Sequence, residues 1–184
     1  MKRARTIALI TTAAIALAAA ALIIWNPWSE TAYAASDLPS ACTELAAVPE
    51  PHGPAFKLLR EHTYPNAGAG RTSNESDPGT TLHCIWEDDK ISTIWLDVEL
   101  WTAGAEAASA SLPATRAKLE ETGMAIGDLD LGDEALIGGK ATVGGGAVRT
   151  GNVVIYATTI LKDGNATEHT ITALKTALTT IGAS

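Results

Sequence analysis

The stretch from Leu82 to Trp101 constrains the fold more than any other part of the chain. Two apolar runs, rich in β-branched and aromatic residues, flank the polar segment 87–90. This pattern predicts a β-hairpin. The second run alternates strictly, with Ile94, Leu96, Val98 and Leu100 on one side and Thr93, Trp95, Asp97 and Glu99 on the other. An alternation of period two is typical of a strand that buries one face.

The register of this hairpin depends on the number of residues in its loop. An even number would place Cys84 and Trp86 on the face of Trp95, and an odd number would place them with Ile94 and Leu96. A slip of one residue moves every side chain to the opposite face. We favour the odd loop, because a disulfide-bonded cysteine belongs on the core face.

Cys42 and Cys84 are the two cysteines of the chain. In an exported protein an even cysteine count indicates a disulfide, and a metal site is the weaker alternative, since Cys42 has no cysteine or histidine at ligand spacing. We therefore predict a bond between Cys42 and Cys84.

The first 34 residues resemble a targeting segment. Three basic residues precede a nearly unbroken apolar run from Ile7 to Trp25. Its length, with Trp25 and Trp28 as interfacial anchors, favours a retained transmembrane helix that leaves residues 35–184 outside the cell membrane. The alternative is a signal peptide cleaved near Ala34, within Ala32-Tyr33-Ala34, which would release a secreted domain.

The charge of the chain excludes some partners. Beyond Ala34 there are ten basic and twenty acidic residues. Such an acidic domain repels nucleic acid and gains nothing at an anionic membrane surface, so the membrane partner is the N-terminal helix alone.

The remaining elements predict an α+β fold: an N-terminal hydrophobic helix, then a mostly antiparallel sheet packed with about three helices. A short helix is expected over 40–48, and a loop over 63–80. Thr102 would cap a helix that breaks or restarts at Pro113. Turns are expected at Gly138-Gly139 and at 144–146. Val153–Leu161 is predicted as a central strand because both of its faces are apolar. Asn165 would cap the last helix.

Four short motifs carry a resemblance to known proteins. They are Cys42, Cys84-Ile85-Trp86, Leu131-Gly132-Asp133-Glu134-Ala135 and Arg149-x-Gly151-Asn152-Val153-Val154. Together they resemble a broad group of small exported actinobacterial proteins, many of them lipoproteins of unassigned function. They are distantly similar to the extracellular sensor domains of actinobacterial serine/threonine kinases. This chain lacks a lipobox, and the resemblance implies no catalytic residues.

The sequence contains none of the catalytic or metal-binding motifs that we considered. The four histidines lie at no zinc-ligand spacing, and no Gly-x-Ser-x-Gly elbow is present. The acidic residues Asp128, Asp130, Asp133 and Glu134 lack the spacing of a helix-loop-helix calcium site, so we read them as a solvated bend. We expect no enzymatic activity, no metal and no cofactor.

The tryptophans of the hairpin indicate a binding role. We predict a ligand-binding face formed by Trp95, Asp97 and Glu99, with Trp101 beside it, suited to an envelope carbohydrate, peptide or protein. Core packing under a helix is the competing interpretation. The predicted function is a noncatalytic binding or sensor-like module of the cell envelope. A carrier of an apolar ligand, or a hydrolase whose site is assembled only by folding, are the alternatives.

Overall fold

The structure is a computed structural model that describes residues 32–53, 55–65, 79–90 and 92–182. The apolar segment predicted as a membrane anchor lies outside these residues, as does most of the predicted loop over 63–80. Within the described part of the chain, no helix combines the length and the apolar character that a membrane span requires.

Seven strands form a single antiparallel sheet. They are β1 (Lys57–Pro65), β2 (Thr80–Glu87), β3 (Thr93–Leu100), β4 (Ala125–Asp128), β5 (Glu134–Lys140), β6 (Val143–Thr150) and β7 (Val153–Ile160). Their order across the sheet is β1-β2-β3-β7-β6-β5-β4. Two meanders therefore meet where β3 pairs with β7. The run predicted as a central strand does occupy the middle of the sheet, and the α+β class is confirmed.

The register of the β2–β3 hairpin follows the odd loop. Cys84 lies opposite Leu96, and Trp86 lies opposite Ile94. In the turn, the Asp88 carboxylate accepts hydrogen bonds from the Lys90 and Ser92 amides, at 2.8 and 2.7 Å. The apolar alternation of β3 thus defines a core face, as the sequence predicts.

That core face is covered by the C-terminal helix and by the segment around Cys42. Helix α2 (Ala166–Thr180) packs on β5, β6 and β7, and the Asn165 side chain accepts a hydrogen bond from the Glu168 amide, which confirms the predicted cap. Cys42 is bonded to Cys84, with their Cα atoms 5.7 Å apart. The disulfide therefore fixes the N-terminal segment to β2.

Helix α1 (Ala105–Glu121) covers part of the opposite face, over β4 to β7. A second apolar cluster lies beneath it and contains Trp101, Ala108, Leu112, Leu136, Ala147 and Val154. The helix continues through Pro113, so the predicted break there is wrong. Pro113 lies on the exposed side while its neighbour Leu112 is buried, and this packing outweighs the proline's local preference.

Within the described residues, fewer helices are present than the sequence predicts. The described residues contain two α-helices, together with three short 3-10 turns. The helix expected over 40–48 is reduced to the 3-10 turn Cys42–Leu45, although Cys42 and Leu45 are buried as expected. Strand β1, where the sequence shows only a brief apolar patch, is an edge strand with a bulge between Leu58 and Arg60.

The glycine clusters lie inside strands, so the turns predicted at 138–139 and 144–146 are wrong. A Cβ atom at Gly144 would collide with Ala166 and Thr170 of α2, and one at Gly145 would collide with Leu119 of α1. These glycines let both helices approach the sheet closely. The turn between β5 and β6 instead falls at Ala141-Thr142.

Candidate functional site

A groove of about 630 Å³ lies between α1 and the half of the second sheet face that α1 leaves uncovered. Strands β2, β3 and β7 supply one wall and α1 supplies the other. The side chains that matter for its chemistry are His83, Trp95, Asp97, Glu99, Lys118 and Tyr156.

Strand alternation places Trp95, Asp97 and Glu99 on this wall. Trp95 lies between Ile85 of β2 and Thr158 of β7, directly opposite each in register. Its side chain is 45% exposed, although tryptophan is usually well buried. The three residues do line one groove, and their part in binding stays a prediction.

His83 and Asp97 form the middle of the groove floor. They lie opposite each other on β2 and β3, and His83 Nδ1 contacts Asp97 Oδ1. Both side chains keep some exposure, 21% for His83 and 35% for Asp97. The contact orients both groups and leaves a face of each accessible from the groove.

Glu99 is the most perturbed carboxyl of the groove. Burial, and then the nearby Asp97 carboxylate, raise its pKa from 4.5 to about 7, while the polar groups of the neighbouring Trp101 and Tyr156 side chains oppose that rise. The charged form of a desolvated acid beside a like charge is disfavoured. Glu99 therefore exchanges its proton near neutral pH.

Tyr156 connects the floor of the groove to α1. Its hydroxyl lies 2.9 Å from Ser111 Oγ, and burial together with Glu99 raises the pKa of Tyr156 to about 12. The phenol thus stays protonated at neutral pH and can donate to the Glu99 carboxylate. The contact with Ser111 fixes the Tyr156 ring relative to α1.

Trp101 is placed differently from the prediction. It follows the end of β3, is only 5% exposed, and belongs to the apolar cluster under α1. Its backbone is held by Asn152, whose carbonyl accepts the Trp101 amide at 2.8 Å. Trp101 thus supports the groove from behind and offers no surface to a ligand.

The sequence did not reveal every groove residue. Alternation alone could have added His83, which faces away from Cys84, and Tyr156, which alternates with the core residues of β7. Lys118 and Thr115 come from α1, whose position over the sheet is a tertiary property that no local pattern encodes.

Two other polar clusters lie outside the groove. The buried guanidinium of Arg149 pairs with Glu134 at 3.1 Å and with Asp133 at 3.4 Å, so the acidic bend is partly a structural ion-pair network.

The second cluster is a histidine pair, His52 and His169, whose Nδ1 atoms lie 2.5 Å apart. Burial, and then His169, lower the pKa of His52 to about 4. Among the described residues no three His, Cys, Asp or Glu side chains converge on a metal-sized position.

Comparison with known proteins gives a likeness of fold. No family model matches the sequence, and no curated protein does either. Among solved structures, the extracellular domain of PknH from Mycobacterium tuberculosis superposes with a TM-score of 0.54 at 12% sequence identity. The match covers 85% of this chain and all of that domain. At this identity the comparison establishes a shared fold, in agreement with the resemblance to kinase sensor domains noted from the sequence.

Proposed function

We propose that this protein is a noncatalytic, extracytoplasmic binding module, tethered by its N-terminal apolar segment, that recognises a cell-envelope ligand in the groove beside Trp95. The observation that carries the proposal is the half-exposed Trp95 on the same face of β3 as Asp97 and Glu99, in a groove large enough for a small ligand. Ligand sites combine apolar or aromatic walls with a few placed polar groups.

The extracytoplasmic location is supported by chemistry of the chain itself. The Cys42–Cys84 bond belongs to an oxidising compartment, and a basic segment followed by an apolar run precedes the folded domain. The fold shared with the PknH extracellular domain agrees with that location. These points also support a sensor-like role, in which ligand capture outside the membrane is the function.

Retention on insoluble cell-wall material tests the proposal. The full chain, purified in mild detergent, should be retained by actinobacterial cell walls, and Trp95→Ala should lose most of that retention. Leu59→Ala is the matched control, because Leu59 is a large apolar residue that is 60% exposed on β1 and does not line the groove. Equal loss in both variants would mean nonspecific apolar adsorption and would overturn the proposal.

A hydrolase is the second candidate, and one observation favours it. Asp97 and Glu99 place two carboxyl groups on one wall of the groove, and the pKa of Glu99 is raised; glycoside hydrolysis uses a pair of carboxyl groups of which one is an acid of raised pKa. Release of reducing ends from cell-wall polysaccharide by the wild type, abolished in Glu99→Gln, would favour this candidate over the noncatalytic one.

The carrier of an apolar ligand receives less support. The apolar cavity bounded by Leu38, Leu82, Val98 and Leu100 has a volume of about 220 Å³. Ligand pockets for drug-sized molecules start at about 300 Å³. A lipid chain would therefore need a larger space than this cavity offers.

A further inference from the structure

The charged and aromatic residues of the groove restrict the chemical class of ligand that it can bind. Its charged and titratable groups come from every wall: Asp97 and Glu99 from β3, His83 from β2, Tyr156 from β7 and Lys118 from α1, with His62 of β1 opposite His83 in register. Asp97 raises the pKa of the Glu99 carboxyl group, because the two groups carry charges of the same sign. Asp97 and Glu99 therefore place two carboxyl groups side by side on the face of β3 that lines the groove.

Trp95 adds a second requirement. Its exposed ring is a surface on which a flat apolar group or a cation can lie. An ammonium over an indole face gains a cation–π attraction, which is strongest for tryptophan among the aromatic residues. An alkylammonium can contact both the ring and the carboxylates, and it brings the positive charge that a neutral saccharide lacks.

We propose that the groove binds a lysine-like primary ammonium of a peptide, with the cation between Asp97 and Glu99 and its alkyl stem against Trp95. This inference rests on the proposed binding function of the groove. The ammonium donates hydrogen bonds to the two carboxylates. Lys118 on the α1 wall carries the same charge as the ammonium and repels it from that wall.

Proton release accompanies this binding. The pKa of Glu99 is about 7 in the free protein, so the carboxyl is largely protonated at pH 6. A bound cation favours the ionised carboxylate, and the lysine amine itself stays charged because its ordinary pKa is about 10.4. Binding should therefore tighten about tenfold between pH 6 and pH 8, as the ionised fraction of Glu99 rises.

Isothermal titration calorimetry on the full chain in mild detergent tests this inference. The probes are Nα-acetyl-lysine amide, its Nε-acetylated form as the neutral match, and the tetramer of N-acetylglucosamine as a neutral saccharide. We expect binding of the charged lysine probe alone, with the stated pH dependence. Glu99→Gln should weaken that binding and remove the pH dependence, with circular dichroism as the check that it folds.

The outcomes separate the two proposals. Binding of the saccharide without the lysine probe would overturn the ammonium assignment and leave the groove as a binding site. Equal binding of both lysine probes would overturn it as well. A pH dependence that persists in Glu99→Gln would contradict the role of Glu99 and overturn the ammonium assignment. If none of the three probes binds and cell-wall retention is also unaffected by Trp95→Ala, both proposals fail.

Discussion

His83 and Asp97 lie directly opposite each other on β2 and β3, and their side chains are in contact in the floor of the groove. Asp97 has Glu99 as its next neighbour on the same face of β3. The Asp97 carboxylate therefore contacts the His83 imidazole and also lies beside the half-buried Glu99. This arrangement couples the protonation of Glu99 to the state of Asp97.

Replacing Asp97 should lower the pKa of Glu99. In Asp97→Asn the like charge is gone, so the pKa of Glu99 should fall below about 7, but it should stay above its ordinary 4.5 because burial is the larger cause. Stability should change by no more than about 1 kcal/mol, since partly exposed ion pairs contribute little. A pH titration of the Glu99 carboxyl carbon by NMR measures this. An unchanged pKa would show that the two carboxyls do not interact.

Replacing Glu99 should change how stability depends on pH. Between pH 4.5 and about 7 the unfolded Glu99 gives up its proton while the folded one keeps it, so the wild type loses stability as pH rises through this window. Glu99→Gln has no such loss. The stability difference in favour of the variant should grow by up to about 3 kcal/mol from pH 4.5 to pH 8. Urea unfolding of both proteins across this range is the measurement, and parallel curves would contradict the expectation.

Two tryptophans of one strand region should respond differently to truncation. Trp101→Ala removes a side chain that is 5% exposed and should cost about 3–5 kcal/mol of stability. Trp95→Ala removes a ring that is 45% exposed and should cost clearly less. Thermal unfolding of the two variants under the same conditions makes the comparison. Equal destabilisation would mean that Trp95 is a core residue and would count against its availability to a ligand.

The buried Arg149 should be a structural residue. Arg149→Met removes the buried guanidinium that pairs with Asp133 and Glu134 and donates to the Gly151 carbonyl, and it should cost about 1.5–3 kcal/mol. Arg116→Met is the matched control, because its ion pair with Asp128 is far more exposed and should cost at most about 1 kcal/mol. Chemical denaturation distinguishes them. Similar losses in both variants would place Arg149 among ordinary surface ion pairs.

Much of the fold could be predicted from local patterns. Period-two alternation identified β3 and the central strand β7, and the register of the hairpin followed from placing Cys84 on the core face. The Asn165 cap was readable because its mechanism is local, between residues three positions apart. The α+β class followed from the sequence of these elements.

The errors share a physical cause, which is packing between distant segments. Gly144 and Gly145 suggested turns, and they instead make room for α2 and α1 against the sheet. Pro113 suggested a break that the burial of Leu112 overrides. For the same reason only part of the candidate site can be predicted. Trp95, Asp97 and Glu99 belong to one strand and follow from its alternation, whereas Lys118 and Tyr156 join them only after folding. Trp101 was assigned to the site because alternation does not show where α1 will lie.

The most direct test of the account is to observe the indole N–H of Trp95 while a ligand is added. The full chain, labelled with ¹⁵N and held in detergent micelles, would be titrated with soluble peptidoglycan fragments, and Trp95→Phe would assign the signal. We predict that the Trp95 signal shifts in a saturable way while that of the buried Trp86 changes little. A titration that shifts other regions and leaves Trp95 unchanged would contradict the claim that this groove is the binding site.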